Sequence, residues 1–98
     1  MTKYIAISIG DMKGIGIQIL LTTWKKKEIK DFILFTDIKL LHKYFNIKSI
    51  INVVNSNKNK IIYEKNKINI FTYESKSLED NTYKSLKHAY NFCKKNIC

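Results

Sequence analysis

The apolar positions of this chain follow two rhythms, and the switch between them outlines the elements. Ile5, Ile7 and Ile9 alternate with smaller residues, the period of a strand, and Gly10 ends the run. Ile17, Leu20, Leu21 and Trp24 then fall at i, i+3, i+4 and i+7, one face of a helix, which Lys25, Lys26 and Lys27 close with charges suited to a helix carboxyl end. Residues 32–35 are continuously apolar, as in a strand buried on both faces of a parallel sheet. Thr36-Asp37 caps a second helix with an apolar stripe of Ile38, Leu41 and Phe45. Residues 50–54 form a third strand candidate, and residues 68–73 alternate again as a strand. Between these, residues 55–67 are rich in Asn and Lys and read as a polar loop or a weak hairpin around Ile61, Ile62 and Tyr63. Ser77 to Asp80 fits a capping box, opening a last helix of about fourteen residues. Its apolar face is expected to carry Tyr83, Leu86, Ala89 or Tyr90, Cys93 and Ile97. His88 is expected on the opposite, polar face with Lys84, Lys87, Asn91 and Lys95.

The predicted order is β-α-β-α-β-β-α, an α/β class with a largely parallel sheet. A final helix in such a fold normally crosses to a further strand; the chain ends at Cys98, where that strand is expected to begin. The 98 residues make at most one small domain.

The net charge is +10, which on its own points to nucleic acid. All eighteen basic residues are Lys, however, and base readout leans on the planar fork of Arg. The excess charge therefore reads as solvated surface, and no nucleic-acid partner is expected. Cys93 and Cys98 lie five apart, on different faces of a helix, with no disulfide framework and no metal or redox spacing. The opening apolar run is too short for a signal-peptide core or a membrane span, so a cytoplasmic protein is expected.

Chemistry concentrates in Gly10-Asp11-Met12-Lys13-Gly14-Ile15-Gly16, which holds every glycine of the chain between a strand and a helix start. Free N–H groups at a helix start attract anions, and glycine lets a ligand approach the backbone. The spacing is neither a dinucleotide fingerprint nor a P-loop, so a tight βα corner explains it as well as a phosphate or cofactor contact. His42 and His88 each sit on a predicted helix without a carboxylate or second His at ligand spacing; both are read as satisfied or solvent-facing, and no metal ligand is assigned.

Residues 5–18, with Gly10, Asp11, Gly14, Ile15 and Gly16 matching, resemble the opening of the 4-hydroxythreonine-4-phosphate dehydrogenase family, which typically reads I-A-I-T-M-G-D-P-A-G-I-G-P-E. Met12, Lys13, Ile17 and Gln18 depart from that pattern. Residues 32–37 with Leu40 and Leu41 are similar to the family's second strand, its Gly-Asp corner and the next helix, with Thr36 in place of Gly; the helix from Tyr83 to Cys93 is similar to the one before its T-x-P-x-x-K segment.

The resemblance implies an isocitrate/isopropylmalate dehydrogenase-like fold, here incomplete, with residues 1–98 as the amino-terminal part of one domain. It implies a homodimer that uses NAD and a divalent metal held by histidines. Its substrate is a small phosphorylated hydroxy-amino acid, which is oxidised and then decarboxylated in pyridoxal-phosphate biosynthesis. A sister substrate such as threonate or erythronate phosphate fits the same resemblance. It makes Gly10, Asp11, Gly14, Ile15 and Gly16 the cofactor-binding candidates and places catalytic and metal residues beyond this chain. No activity and no tight cofactor binding are then expected of these residues alone. Two other readings compete: a small basic RNA-binding module using Tyr63, Phe71 and Tyr73 with nearby lysines, and an inactive remnant with exposed apolar surface at an unfinished sheet.

Overall fold

A stretch such as residues 32–35, apolar on both sides, is stable only where both faces of a sheet are covered. The computed structural model, which describes residues 4–9, 16–55 and 61–95, places it there. The elements are β1 (Ile5–Ser8), α1 (Gly16–Lys25), β2 (Phe32–Phe35), α2 (Ile38–Tyr44), a 3-10 turn (Lys48–Ile50), β3 (Ile51–Val53), β4 (Ile68–Phe71) and α3 (Leu78–Lys94). The strands form one sheet in the order β1-β2-β4-β3, and every neighbouring pair is parallel. Ile7, Leu34, Ile70 and Val53 lie level across it. The expected β-α-β-α-β-β-α order and the parallel sheet are both present.

The alternation of side chains builds two cores. On one face Ile9, Phe32, Leu34, Ile68 and Ile70 pack against Ile17, Leu20, Leu21 and Trp24 of α1 and Leu40 and Leu41 of α2. On the other, Ile33, Phe35, Val54 and Phe71 pack under Ala89 and Phe92 of α3, with Tyr4, Ala6, Ile61 and Tyr63 alongside. Helices α1 and α2 therefore share one face and α3 takes the other. Phe35, Phe71 and Phe92 meet at centroid distances of 4.9–5.4 Å, with Phe92 edge-on to both partners.

A parallel connection usually runs through a helix, and the step from β3 to β4 carries none among the described residues. Asn69, 1% exposed in the middle of β4, ties down the described part of that connection. Its amide donates to the backbone oxygens of Glu64 and Lys67, and its oxygen accepts from Glu64 N and from Asn52 on the neighbouring strand. Asn52 also holds Ile62 O, and Ile62 N donates to Val54 O. Two asparagines level in the sheet thus fix residues 61–67 as a loop rather than a hairpin.

The last helix has the expected start: Ser77 accepts from Asp80 N, while Asp80 accepts from Lys76 N. Its orientation corrects the expected one. Tyr83, Leu86 and Tyr90 are 63–65% exposed, and Cys93 is exposed with them, whereas Asn81, Ser85, Ala89 and Phe92 are buried. Ile97 lies outside the described residues. His88, expected on the polar face, is half-buried with its ring stacked on Tyr73 and tilted against Phe71. The reason is that two polar residues have partners on the sheet, and small Ser85 and Ala89 let the helix lie close.

Candidate functional site

Ligands of open α/β sheets gather at the carboxyl ends of strands, where neighbouring strands send their chains to opposite faces. Here β2 leads to α2 on one face, while its neighbour β4 leads to α3 on the other. The residues leaving those two strands, Thr36-Asp37 and Thr72 to Ser75, meet at that point.

They form a closed network. Asp37, 5% exposed, caps α2 through Lys39 N on Oδ1 and receives Ser75 N and Ser75 Oγ on Oδ2, at 2.7–3.0 Å. Asp37 N donates to Asn81 Oδ1, and Asn81 Nδ2 donates to Thr36 Oγ1. The Tyr73 hydroxyl donates to Asn81, 2.7 Å from Oδ1 and 3.0 Å from the backbone oxygen. Burial first, then the negative charges of Asp37 and Asp80, push that phenol well above its ordinary pKa, against a lowering contact with Ser85. Thr72 Oγ1 accepts from Ile38 N, and the Asn55 side chain brackets the Thr72 backbone.

Ser85, fully buried, joins the network to β1. Its hydroxyl donates to Phe35 O and accepts from Ile9 N at 2.7 Å. The Ser85 proton is thus held by a strand carbonyl and the Asp37 oxygens by N–H and O–H donors. This chemistry fastens strand ends to helices and offers no activated nucleophile.

Of the five cofactor-binding candidates, Gly10, Asp11, Gly14 and Ile15 lie outside the described residues, as do Met12 and Lys13. Gly16 is the first residue of α1, and Ile9, before the glycine stretch, is pinned by Ser85. Gly16 is exposed, its φ is not positive, and a Cβ built on it would meet nothing within 4 Å. Neither backbone conformation nor packing calls for glycine there. The first turn of α1 carries no acidic side chain to compete for its N–H groups, which have no intrahelical acceptor. Of the departures from the family pattern, Ile17 is 4% exposed in the core and Gln18 is exposed.

The histidines differ from expectation. His42 on α2 has its Nε2 sealed from solvent and without a hydrogen-bond partner among the described residues. Burial lowers the His88 pKa, helped by Lys87 and then Lys84. Among the described residues no group of three or more His, Cys, Asp or Glu converges as a metal site, and no helix is long and apolar enough to cross a membrane. The aromatic residues that an RNA platform would need are engaged internally: Tyr63 stacks on Tyr4 at 4.5 Å, and Phe71 and Tyr73 lie against His88.

Residues that sequence reasoning passed over carry most of this edge: Thr72, Ser75, Asn81 and Ser85. A polar i, i+4 pair such as Asn81 and Ser85 reads as solvent-facing unless the strand ends it meets are known. Comparison with protein-family models, with curated proteins and with solved structures finds no match.

Proposed function

We propose that this chain is the amino-terminal part of an NAD-dependent dehydrogenase related to the 4-hydroxythreonine-4-phosphate dehydrogenase family, and that its glycine stretch contacts the cofactor. The observation that carries this reading is the open space at Gly16, on the carboxyl edge of a parallel sheet, where a side chain would be tolerated and none is present. The likeness of residues 5–18 to the family's opening supports it. The layout of the sheet is compatible with it: by the right-handed rule, a further crossover from α3 would lead to the outer edge of β1 and extend the parallel sheet there.

NAD would accept the hydride from a phosphorylated hydroxy-amino acid. In this chain, Gly16 leaves room for the cofactor beside the first-turn N–H groups, and Ser85 fixes the strand end that leads to them. The described residues supply no metal donor set, so no step is assigned to a metal in this part of the protein.

Titration of the isotopically labelled chain with NAD, followed by amide NMR, tests the contact. Weak, fast-exchange shifts are expected at the amides of residues 10–16. Gly16→Ala should leave stability within about 0.5 kcal/mol, because its methyl group meets open space, and should remove those shifts. NAD shifts that are absent, or unchanged in the variant, would overturn the reading. The coding sequence after codon 98 gives a separate test: a frame continuing into a T-x-P-x-x-K segment and later histidines supports it, and a stop codon there opposes it.

A further inference from the structure

At the opposite, amino-terminal end of the sheet lies a second feature that the dehydrogenase reading does not use. A cavity of about 570 Å³ opens there between the end of α1, the turn into β2 and the turn before β4. Trp24 and Ile29 give it an apolar wall, and both are half-buried against the core of that face. Lys25, Lys27, Lys30 and Lys65 stand around it with a single carboxylate, Asp31. The ion pairs among the described residues, Lys67–Glu64 and Lys84–Asp80, involve none of these four lysines.

The backbone adds a second observation. Lys27 sits at φ 61° and Asp31 at φ 55°, the left-handed region that favours glycine. At Lys27 the reason is geometric: Lys27 N donates to Trp24 O and Glu28 N to Thr23 O, the paired bonds that close a helix at a left-handed residue. Glycine is the usual occupant of that position, and lysine there carries a conformational cost. That turn holds Lys27 at the rim of the cavity, next to Trp24.

We propose that this cavity binds a nucleoside diphosphate or triphosphate, with the base against the Trp24 indole and the phosphates among Lys27, Lys30 and Lys65. Any base can stack on the planar face of an indole. Four ammonium groups against one carboxylate suit a polyanion, and Asp31 offers an acceptor for an exocyclic amine. The volume falls in the range of small-molecule sites, and one indole serves one base. Tracking a nucleic-acid strand requires repeated platforms, and Tyr63, Phe71 and Tyr73 are occupied elsewhere.

Trp24 is the only tryptophan of the chain, so its indole N–H gives a single NMR signal at the site. Titration with ADP should move that signal saturably, and added salt should weaken the binding. Lys27→Gly should raise the melting temperature by relieving the left-handed lysine and weaken ADP binding about tenfold, the scale of one lost charge-assisted contact. Gly16→Ala should leave ADP binding unchanged, which separates this site from the proposed NAD contact. An unmoved indole signal, full affinity in both Lys27→Gly and Trp24→Ala, or affinity that grows with oligonucleotide length would each overturn the proposal.

Discussion

At the scale of single residues, the polar side chains buried on the strands and on α3 decide how this small sheet is held. Ser85 satisfies one donor and one acceptor at the ends of two strands, Ile9 N and Phe35 O. Asn69 uses both ends of its amide to fasten the turn that leads into β4. Each stabilises less by the bonds it forms than by the groups it keeps from being buried unpaired, which cost roughly 1–3 kcal/mol apiece. Ser85→Ala removes one oxygen, with little change in volume, and strands two backbone groups. It should destabilise the chain by about 2 kcal/mol in chemical denaturation. A loss below about 0.5 kcal/mol, the range of an indifferent surface change, would mean that water or a local shift re-satisfies Ile9 N and Phe35 O.

At the scale of elements, the strands and first two helices were legible because their burial is apolar and periodic. Residues 32–35 are apolar throughout and central in the sheet; Ile17, Leu20, Leu21 and Trp24 form the stripe that packs on it; Asp37 caps α2. The glycine stretch was legible as a feature, yet Gly16 alone of its candidate residues is described. Helix α3 was legible in existence and in its start at Ser77, but not in orientation. Two stripes compete on it, Tyr83-Leu86-Tyr90-Cys93 and Asn81-Ser85-Ala89-Phe92, and hydrophobicity alone favours the first. The second is buried because its polar members find partners on Thr36, Asp37, Phe35 and Ile9, information that belongs to the sheet rather than to the helix. Substitution separates the two. Leu86→Lys and Tyr90→Lys should each change stability by no more than about 0.5 kcal/mol, while Phe92→Ala should cost about 3 kcal/mol or more. The reverse ranking would mean that α3 packs through its apolar stripe after all.

At the scale of the whole molecule, a net charge of +10 makes acid stability the informative property, because lowering the pH adds positive charge to a chain already rich in it. Two ionisable groups set separate windows. His88 is held below its ordinary pKa, first by burial and then by Lys87 and Lys84, so the folded chain resists protonating it more than the unfolded chain does. As the pH falls below about 6.5, the unfolded state takes up the proton first. Stability is therefore full above that value and declines until the folded-state pKa is passed. Asp80 is held low, first by Lys76 N and then by Lys84, so its contribution persists down to its ordinary carboxylate range and is lost as the pH falls through the folded value. Melting temperatures should thus fall in a first step that begins below about pH 6.5 and in a second below about pH 4. General repulsion among the lysines would also weaken the fold in acid, but salt screens it over about 8 Å at physiological ionic strength. Burial, the leading cause at His88, is not screened. The first step should therefore survive added salt and disappear in His88→Gln. A variant that loses stability below about pH 6.5 as the parent does would assign the step to overall charge rather than to the ring stacked on Tyr73.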